Sequence, residues 1–306
     1  MFHQPALLNE AVNLLLGEVS GIYVDGTVGG GGHAELILER LSQDALLVGL
    51  DQDSDAIDNA KTRLQRFGTR VTLVKANFIE MKVVLAGLRI TKINGMLLDL
   101  GVSSHQIDLA ERGFSFSSNG QLDMRMNRER TLTAAAIVNS FTEPDLSALI
   151  KNFGEERRHR SIAHAIVKRR TRSPIRTTVE LTEIIGAVLP PDHRVKSLAR
   201  VFQALRIAVN EELQNLKTAL VESLACIAPT GRLVVISYHS LEDRIVKEFF
   251  KNESARCVCP PELPMCVCDG KGRLKILTKR PIRPTHQEVQ RNPRSRSARL
   301  RAAEAL

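Results

Sequence analysis

Five glycines fall within the seven residues from Gly26 to Gly32. They follow a short β-branched run, Ile22-Tyr23-Val24-Asp25, and precede an apolar periodic stretch, Ala34, Leu36, Ile37, Leu38 and Leu41. A strand that breaks into a glycine loop and resumes as a helix is the opening unit of a nucleotide-binding α/β sheet. Glycine suits such a loop because it accepts positive φ and leaves no Cβ between backbone and ligand. The helix behind the loop points free N–H groups and a positive dipole end toward whatever sits there.

The chain then repeats the strand-and-helix alternation. Ala45-Leu46-Leu47-Val48-Gly49-Leu50, Val71-Thr72-Leu73-Val74 and Ile93-Asn94-Gly95-Met96-Leu97-Leu98-Asp99 read as strands, and 56–64 reads as a helix. Residues 6–16 form an amphipathic helical pattern ahead of the first strand. This order predicts a parallel sheet with helices on both faces. From Leu109 to about Ala199 no strand pattern recurs. Thr177-Thr178-Val179-Glu180 has the spacing of a capping box before a helix that Pro190-Pro191 ends. An apolar stripe at helical spacing follows, from Val201 through Leu205, Leu216 and Leu220 to Leu224. Arg232-Leu233-Val234-Val235-Ile236-Ser237 then reads as a fifth strand, and Leu274–Thr278 as an antiparallel edge strand. The expected domains are 1–108, first part of an α/β core; 109–199, an inserted helical domain; and 200–306, the rest of the core with a basic tail. That tail, from Arg291 on, is rich in Arg, Ser and Ala and is expected to order only against a partner.

Charge is unevenly spread. The net charge is +9, yet residues 1–100 hold 9 Lys/Arg against 12 Asp/Glu. From Arg157 to Arg176 there are 8 Lys/Arg and no acid, and from Lys271 to Arg301 there are 11 and one acid, Glu288. One such run is ordinarily a solvated face. Two of them on an acidic body point to a polyanion. With no Trp and only 2 Tyr, clamping of a phosphate backbone is favoured over stacking on many bases. No apolar run approaches the roughly 18 residues that span a bilayer, and the N-terminus lacks the pattern of a signal peptide, so no membrane partner is expected. The 5 cysteines are an odd number with 4 in one segment, which argues for a reducing, cytoplasmic setting.

Candidate binding residues sit at the predicted strand ends. Asp51 closes the second strand, where a carboxylate can accept both hydroxyls of a ribose. The competing role is a helix N-cap, for which Asp53 and Ser54 are rivals. Phe78 follows the third strand and can stack on an adenine or fill core. Asp99 closes the fourth, where open α/β sheets bind ligands, and Leu100-Gly101-Val102-Ser103-Ser104-His105-Gln106 runs on from it as a polar loop.

Several longer strings are more specific. Asp25-Gly26-Thr27-x-Gly29-x-Gly31-Gly32-His33, Leu98-Asp99-Leu100-Gly101-Val102-Ser103-Ser104, Glu111-Arg112-Gly113-Phe114-Ser115-Phe116 and Leu122-Asp123-Met124-Arg125-Met126 resemble the bacterial 16S ribosomal RNA cytosine-N4 methyltransferase family, of the MraW or RsmH type. Phe202 to Asn210, Ser237 to Arg244 and Asn292-Pro293-Arg294-Ser295-Arg296-Ser297 continue the resemblance, in order, over nearly the whole chain. It departs only in detail, with Gly30 and His105 standing where many relatives have a larger residue and Pro.

The resemblance implies a class I, Rossmann-like methyltransferase sheet interrupted by an all-helical substrate-recognition domain. The implied cofactor is S-adenosyl-L-methionine, held by Gly31, Gly32, His33, Asp51, Phe78, Asp99 and Gln106. The implied reaction is methylation of the exocyclic N4 of a cytosine in the decoding region of 16S ribosomal RNA, within the small ribosomal subunit. Ser103 and His239 are candidate catalytic groups, positioning the base or accepting its proton across the crevice; the competing role is to hold their loops in place. The oligomeric state is left open: the long apolar helical stripe reads first as core packing and could also serve a homodimer.

Cys257-x-Cys259 and Cys266-x-Cys268 flank a proline-rich hexapeptide. The pairs are spaced one residue closer than usual for structural zinc, so no metal is assigned and reduced thiols in a stiff loop are the competing reading. Two other functions use the same features. A nicotinamide-dependent oxidoreductase would share the glycine loop but leave the basic runs unexplained. A non-catalytic RNA-binding scaffold would leave the ordered cofactor residues unexplained.

Overall fold

The computed structural model describes residues 5–255 and 272–306, so the four clustered cysteines lie outside the described residues. The chain divides into two compact units, one built from the residues up to Gly101 and from Leu213 on, the other from Val102 to Glu212.

The first unit opens with helix α1 (Leu8–Leu15) and then alternates: β1 (Ile22–Asp25), α2 (Gly32–Arg40), β2 (Leu46–Asp51), α3 (Ser54–Leu64), β3 (Val71–Lys75), α4 (Met81–Gly87) and β4 (Ile93–Asp99). The second unit is helical: α5 (Ser104–Asp108), α6 (Ala134–Ser140), α7 (Glu143–Gly154), α8 (His159–Arg170), α9 (Thr178–Ala187) and α10 (Pro191–Asn210). The chain returns through α11 (Glu212–Cys226), β5 (Ile227–Ser237), α12 (Ser240–Ser254), β6 (Leu274–Ile276), α13 (His286–Arg291) and β7 (Arg299–Ala305).

The seven strands form one sheet in the order β3-β2-β1-β4-β5-β7-β6. β1 to β5 are mutually parallel, and β7 runs antiparallel to both β5 and β6. The order of the strands reverses between β1 and β4, which makes their carboxyl ends the switch point where a crevice opens. The sheet is buried on both faces, as parallel strands require. Tyr23, Leu47, Leu97, Val234 and Ala302 face one apolar cluster; their neighbours Val24, Val48, Leu98, Val235 and Ala303 face the other.

The Thr177 capping box forms as its spacing suggests: the Thr177 hydroxyl accepts from Glu180 N and the Glu180 carboxylate accepts from Thr177 N. The apolar stripe from Val201 to Leu224 belongs to two helices, because Glu211 adopts a left-handed conformation (φ 54°) that ends α10. Val201 and Leu205 are buried in the core of the helical unit, Leu216 and Leu220 in a core of the sheet unit. The expected boundary at 199/200 falls inside α10, and the other, at 108/109, lies just past α5, which belongs with the helical unit.

The C-terminal tail corrects its expectation. Rather than awaiting a partner, residues 299–305 form a strand inside the sheet, between β5 and β6. Small residues make this possible: Ala302, Ala303 and Ala305 are buried, with Leu300, so helices can pack close on both faces. The charges are neutralised by acids and cations far away in the chain. Arg301 Nε lies 2.6 Å from Asp243 Oδ1, Arg299 Nη1 lies 3.3 Å from Asp243 Oδ2, and Glu304 accepts from Arg232 Nε at 3.0 Å.

Removing the Asp243 carboxylate leaves Arg301, itself only 9% exposed, without that partner. Asp243→Ala is expected to lower stability to urea at pH 7 by about 2 kcal/mol, the range of a hydrogen bond to a charged group. The two arginines, acting against burial, hold the Asp243 carboxyl below its ordinary range. The stability it contributes is therefore present above the unfolded carboxyl value, about 3.9, and is lost as pH falls through its lower folded value. Urea curves of both proteins at pH 7, 5 and 3 check this: the gap persists at 5 and closes toward 3.

Candidate active site

The carboxyl ends of β1, β2 and β4 each carry an aspartate: Asp25, Asp51 and Asp99. Short polar links strap these ends together. Gly29 N donates to Asp51 Oδ2 at 2.9 Å, which ties the glycine loop to the neighbouring strand. Asp53 N donates to Asp51 Oδ1, also at 2.9 Å. Thr27 N donates to Asp25 Oδ1 at 3.2 Å, and Asp99 N donates to Thr27 Oγ1 at 2.6 Å. The N-cap of α3 is Asp53, whose side chain accepts from Asp55 N, so Asp51 is released from capping.

The loop geometry explains its glycines. Gly31 is the N-cap of α2 and lies at φ 78°, a left-handed conformation that strains a residue with a Cβ. At Gly26 an added Cβ would lie 2.7 Å from Leu98 Cδ2, so β1 turns into the loop in direct contact with β4. Gly32 packs under Pro5, and His33, 5% exposed, points its Nε2 at the Ala6 carbonyl, 3.2 Å away. Its Nδ1 lies 3.7 Å from Asp99 Oδ2. The N-terminal segment and the glycine loop thus close on each other through one imidazole.

Asp99 is 9% exposed and accepts from the Tyr238 hydroxyl at 2.9 Å through its other oxygen. Burial pushes its carboxyl up to about 8; the Tyr238 bond opposes this, and the charges of Asp25 and Glu242 add to it. Burial likewise raises Asp25 to about 7 and Asp51 to about 6. The Tyr238 phenol is pushed well above its ordinary value, by burial first and by Asp99 second. Asp25 is 1% exposed, and its Oδ2 is buried with no hydrogen-bond partner. Three acids raised by desolvation at adjacent strand ends, one with an oxygen that has no hydrogen-bond partner, suit a ligand that brings positive charge and hydroxyl donors.

The remaining expected site residues fall as follows. Phe78 is half-buried after β3, where Asn77 and Glu80 form a capping box, and its Cβ lies 3.3 Å from the Cβ position of Gly26. Ser103 is the N-cap of α5: its Oγ accepts from Gln106 N at 3.2 Å, and Gln106 Oε1 accepts from Ser103 N at 2.9 Å. Gln106 is 5% exposed. His239 is the N-cap of α12 in the same arrangement. Its Nδ1 accepts from Glu242 N at 3.4 Å, and its Nε2 lies 3.1 Å from Glu242 Oε1. Glu242 Oε2 accepts from Tyr238 N and His239 N. Asp25, Thr27 and Tyr238 lie within motif strings yet carried no expected role. The signal for Asp25 was available, since it closes a predicted strand as Asp51 and Asp99 do. Tyr238 was legible only through its contact with Asp99, 139 positions away.

The whole chain, residues 1–306, matches the family model described as the MraW methylase family. The chain belongs to the MraW methylase family. Relatives named ribosomal RNA small subunit methyltransferase H are 50% identical in Syntrophus aciditrophicus, covering 100% of this chain and 98% of that one, and 51% identical in Geobacter sulfurreducens, covering 99% of each. Among solved structures, an rRNA methylase from Streptococcus thermophilus aligns over 98% of this chain and 93% of its own at 11% identity, with a TM-score of 0.43.

As a methylase of this family the protein uses S-adenosylmethionine as its methyl donor. The acid-lined cradle fits that group: its sulfonium and ammonium are cations, and its ribose supplies hydroxyl donors. Asp51 accepts from two backbone N–H groups and is not the cap of α3, so its carboxylate could take the hydroxyls of a ribose. A cationic ligand favours the ionised carboxylates, so its binding releases protons. Affinity for S-adenosylmethionine is therefore expected to rise from pH 6 to pH 8, across the raised values of about 6, 7 and 8 for Asp51, Asp25 and Asp99. Calorimetry in buffers of different ionisation enthalpy reads both the trend and the released protons. Asp51→Ala should abolish measurable binding in the same assay.

Proposed function

We propose that this methylase transfers a methyl group to the exocyclic N4 of a cytosine in the decoding region of small-subunit ribosomal RNA. The observation that carries the reading is the cradle of strapped strand-end carboxylates in a chain half-identical, over its full length, to relatives named for methylating small-subunit ribosomal RNA. The cytosine, its N4 and the decoding region are what the resemblance of the motif strings to the cytosine-N4 methyltransferase family implies. The seven residues Gly31, Gly32, His33, Asp51, Phe78, Asp99 and Gln106 are assigned to the cofactor.

The bound cofactor supplies a methyl carbon already activated by its sulfonium. What the chain must add is position and electrostatics. Asp51 would hold the ribose, Gly31 and Gly32 would let the backbone approach the ligand, and Phe78 would offer its ring to the adenine. The Tyr238 hydroxyl donates to one oxygen of Asp99 and His33 Nδ1 stands 3.7 Å from the other, which would orient that carboxylate toward the cofactor. The cytosine amine is a weak nucleophile because its lone pair is delocalised into the ring, and after transfer it gives up one proton. A base must leave its stack to reach such a pocket.

Ser103 and His239 are assigned as positioning residues. Each already engages a backbone N–H of the helix it caps, and His239 Nε2 lies 3.1 Å from Glu242 Oε1 without a hydrogen bond between them. Each cap stiffens a loop that leaves a strand end. His239→Ala should spare cofactor affinity and slow transfer, whereas His239→Asn, which retains a capping acceptor, should restore most of the rate if capping is its contribution. A pH–rate profile that loses a limb in both variants would instead assign the imidazole to proton transfer.

The reaction itself is tested by mapping methylated nucleosides, by mass, in ribosomal RNA from cells with and without this protein. The expected result is one N4-methylated cytidine in small-subunit RNA that vanishes with the protein. Unchanged small-subunit RNA would overturn the reading.

A further inference from the structure

Between β6 and β7 the chain makes an excursion, residues 277–298, out of the sheet and back. It is ordered by a row of buried anchors. Thr278 Oγ1 accepts from Ala302 N at 2.9 Å, Ile282 pairs with Leu300 in an antiparallel bridge, and Asn292, Ser295 and Ala298 are buried. Between these anchors, Lys279, Arg280, Arg283, Arg291, Arg294 and Arg296 are exposed. The excursion carries a single acid, Glu288, and its carboxylate turns inward: Oε1 accepts from Leu7 N at 2.7 Å. The outward side therefore carries cations without an interspersed carboxylate.

That same Glu288 bond fixes where the arm lies. Leu7 follows Ala6, whose carbonyl meets His33, and Pro5, which covers Gly32. Arm, N-terminal segment and glycine loop are thus consecutive layers of one unit. Pro281, Pro284 and Pro293 restrict the backbone of the arm, so its cations are presented with little conformational freedom left to lose on binding.

We propose that residues 279–296 form a preordered docking surface for the phosphate backbone of the RNA substrate, set beside the cofactor cradle. This rests on the RNA-methylating reading above and names the surface that holds the substrate there. Arginine predominates over lysine on the arm, five to one among the exposed cations, which suits bidentate contact with phosphate oxygens. Such contacts set the register of an RNA without reading its sequence.

The test is a variant with Arg280, Arg283, Arg291 and Arg296 all replaced by Gln, and a companion with all four replaced by Lys. Binding to protein-free small-subunit RNA is measured against salt, alongside affinity for S-adenosylmethionine, thermal melting and methyl transfer. The glutamine variant is expected to keep its melting point and cofactor affinity and to lose at least about tenfold in RNA affinity at 0.15 M salt. The slope of log K against log salt should fall by about 0.7 for each phosphate no longer neutralised. The lysine companion should keep the slope. An unchanged RNA affinity and slope in the glutamine variant would overturn the docking surface while wild-type methyl transfer leaves the function standing. Affinity lost only on assembled subunits, with the slope on free RNA unchanged, would overturn it in favour of a protein contact. If the fourfold variant melts early, the four single substitutions are read the same way, and wild-type slopes in all four overturn the proposal. Absence of methyl transfer by the wild-type protein is the separate failure, that of the reaction assigned above.

Discussion

The sheet unit depends on a conflict held in place: three carboxylates buried at adjacent strand ends, each raised toward neutrality by lost solvation. In an isolated protein that arrangement is unfavourable, because a buried charge must be compensated or protonated. The fold compensates in part, with backbone N–H groups from Gly29 and Asp53 on Asp51 and from Thr27 on Asp25, and with the Tyr238 hydroxyl on Asp99. It leaves one oxygen of Asp25 unmatched. A cationic ligand bound there would supply the remaining compensation, so that binding and stability would draw on the same interaction. Because a raised carboxyl is favoured in its protonated form, the ligand-free unit loses stability as pH rises toward these values, and such a ligand would restore it.

Such a conflict can be maintained only by a rigid frame. Parallel strands place their carboxyl ends side by side, and the reversal of order between β1 and β4 keeps a helix from covering the gap. β7 completes the frame at the other edge. Inserted antiparallel between β5 and β6, it keeps β5 from being an edge and places Arg299 and Arg301 against Asp243 on α12. α12 begins at His239, directly after Tyr238. The pairing of the tail thus bears on the segment that orients Asp99, through covalent continuity and two guanidinium groups.

Most of the frame was legible in the sequence because its signals are local. The glycine loop, the apolar runs and the acids closing them lie within a few residues of one another, and a strand end is where a carboxylate reaches the crevice. The Thr177–Glu180 box was legible for the same reason. The tail was not, since Arg299-Leu300-Arg301-Ala302-Ala303-Glu304-Ala305 reads as polar and weakly apolar. Its order comes from acids and cations 56 to 72 positions away, Asp243 and Arg232, together with helices packed close over alanine. The division of one apolar stripe into two helices was also hidden, because helical spacing persists across Glu211 while the backbone does not. In the site, Asp51 was separable from its capping rival only once Asp53 was seen to accept from Asp55 N. Charge counting found the basic segment but not its orientation, which depends on where one glutamate points.

One regularity joins the loops that follow three strands of the sheet. The segments that follow β3, β4 and β5 each enter their helix through a capping box, Asn77 with Glu80, Ser103 with Gln106 and His239 with Glu242. Each box satisfies two backbone N–H groups that would otherwise need water or a ligand. A loop closed in this way has little freedom to lose when a ligand arrives, so less binding energy is spent on ordering it. The same economy explains why the residue types that invite a catalytic reading, a serine and a histidine after strand ends, are the types that cap. A hydroxyl or an imidazole nitrogen at such a position is a good acceptor for a backbone N–H whether or not a substrate is near. The sheet unit itself carries a carboxylate that accepts from the Tyr238 hydroxyl and lies 3.7 Å from His33 Nδ1, and a glycine loop tied to the acid of the neighbouring strand.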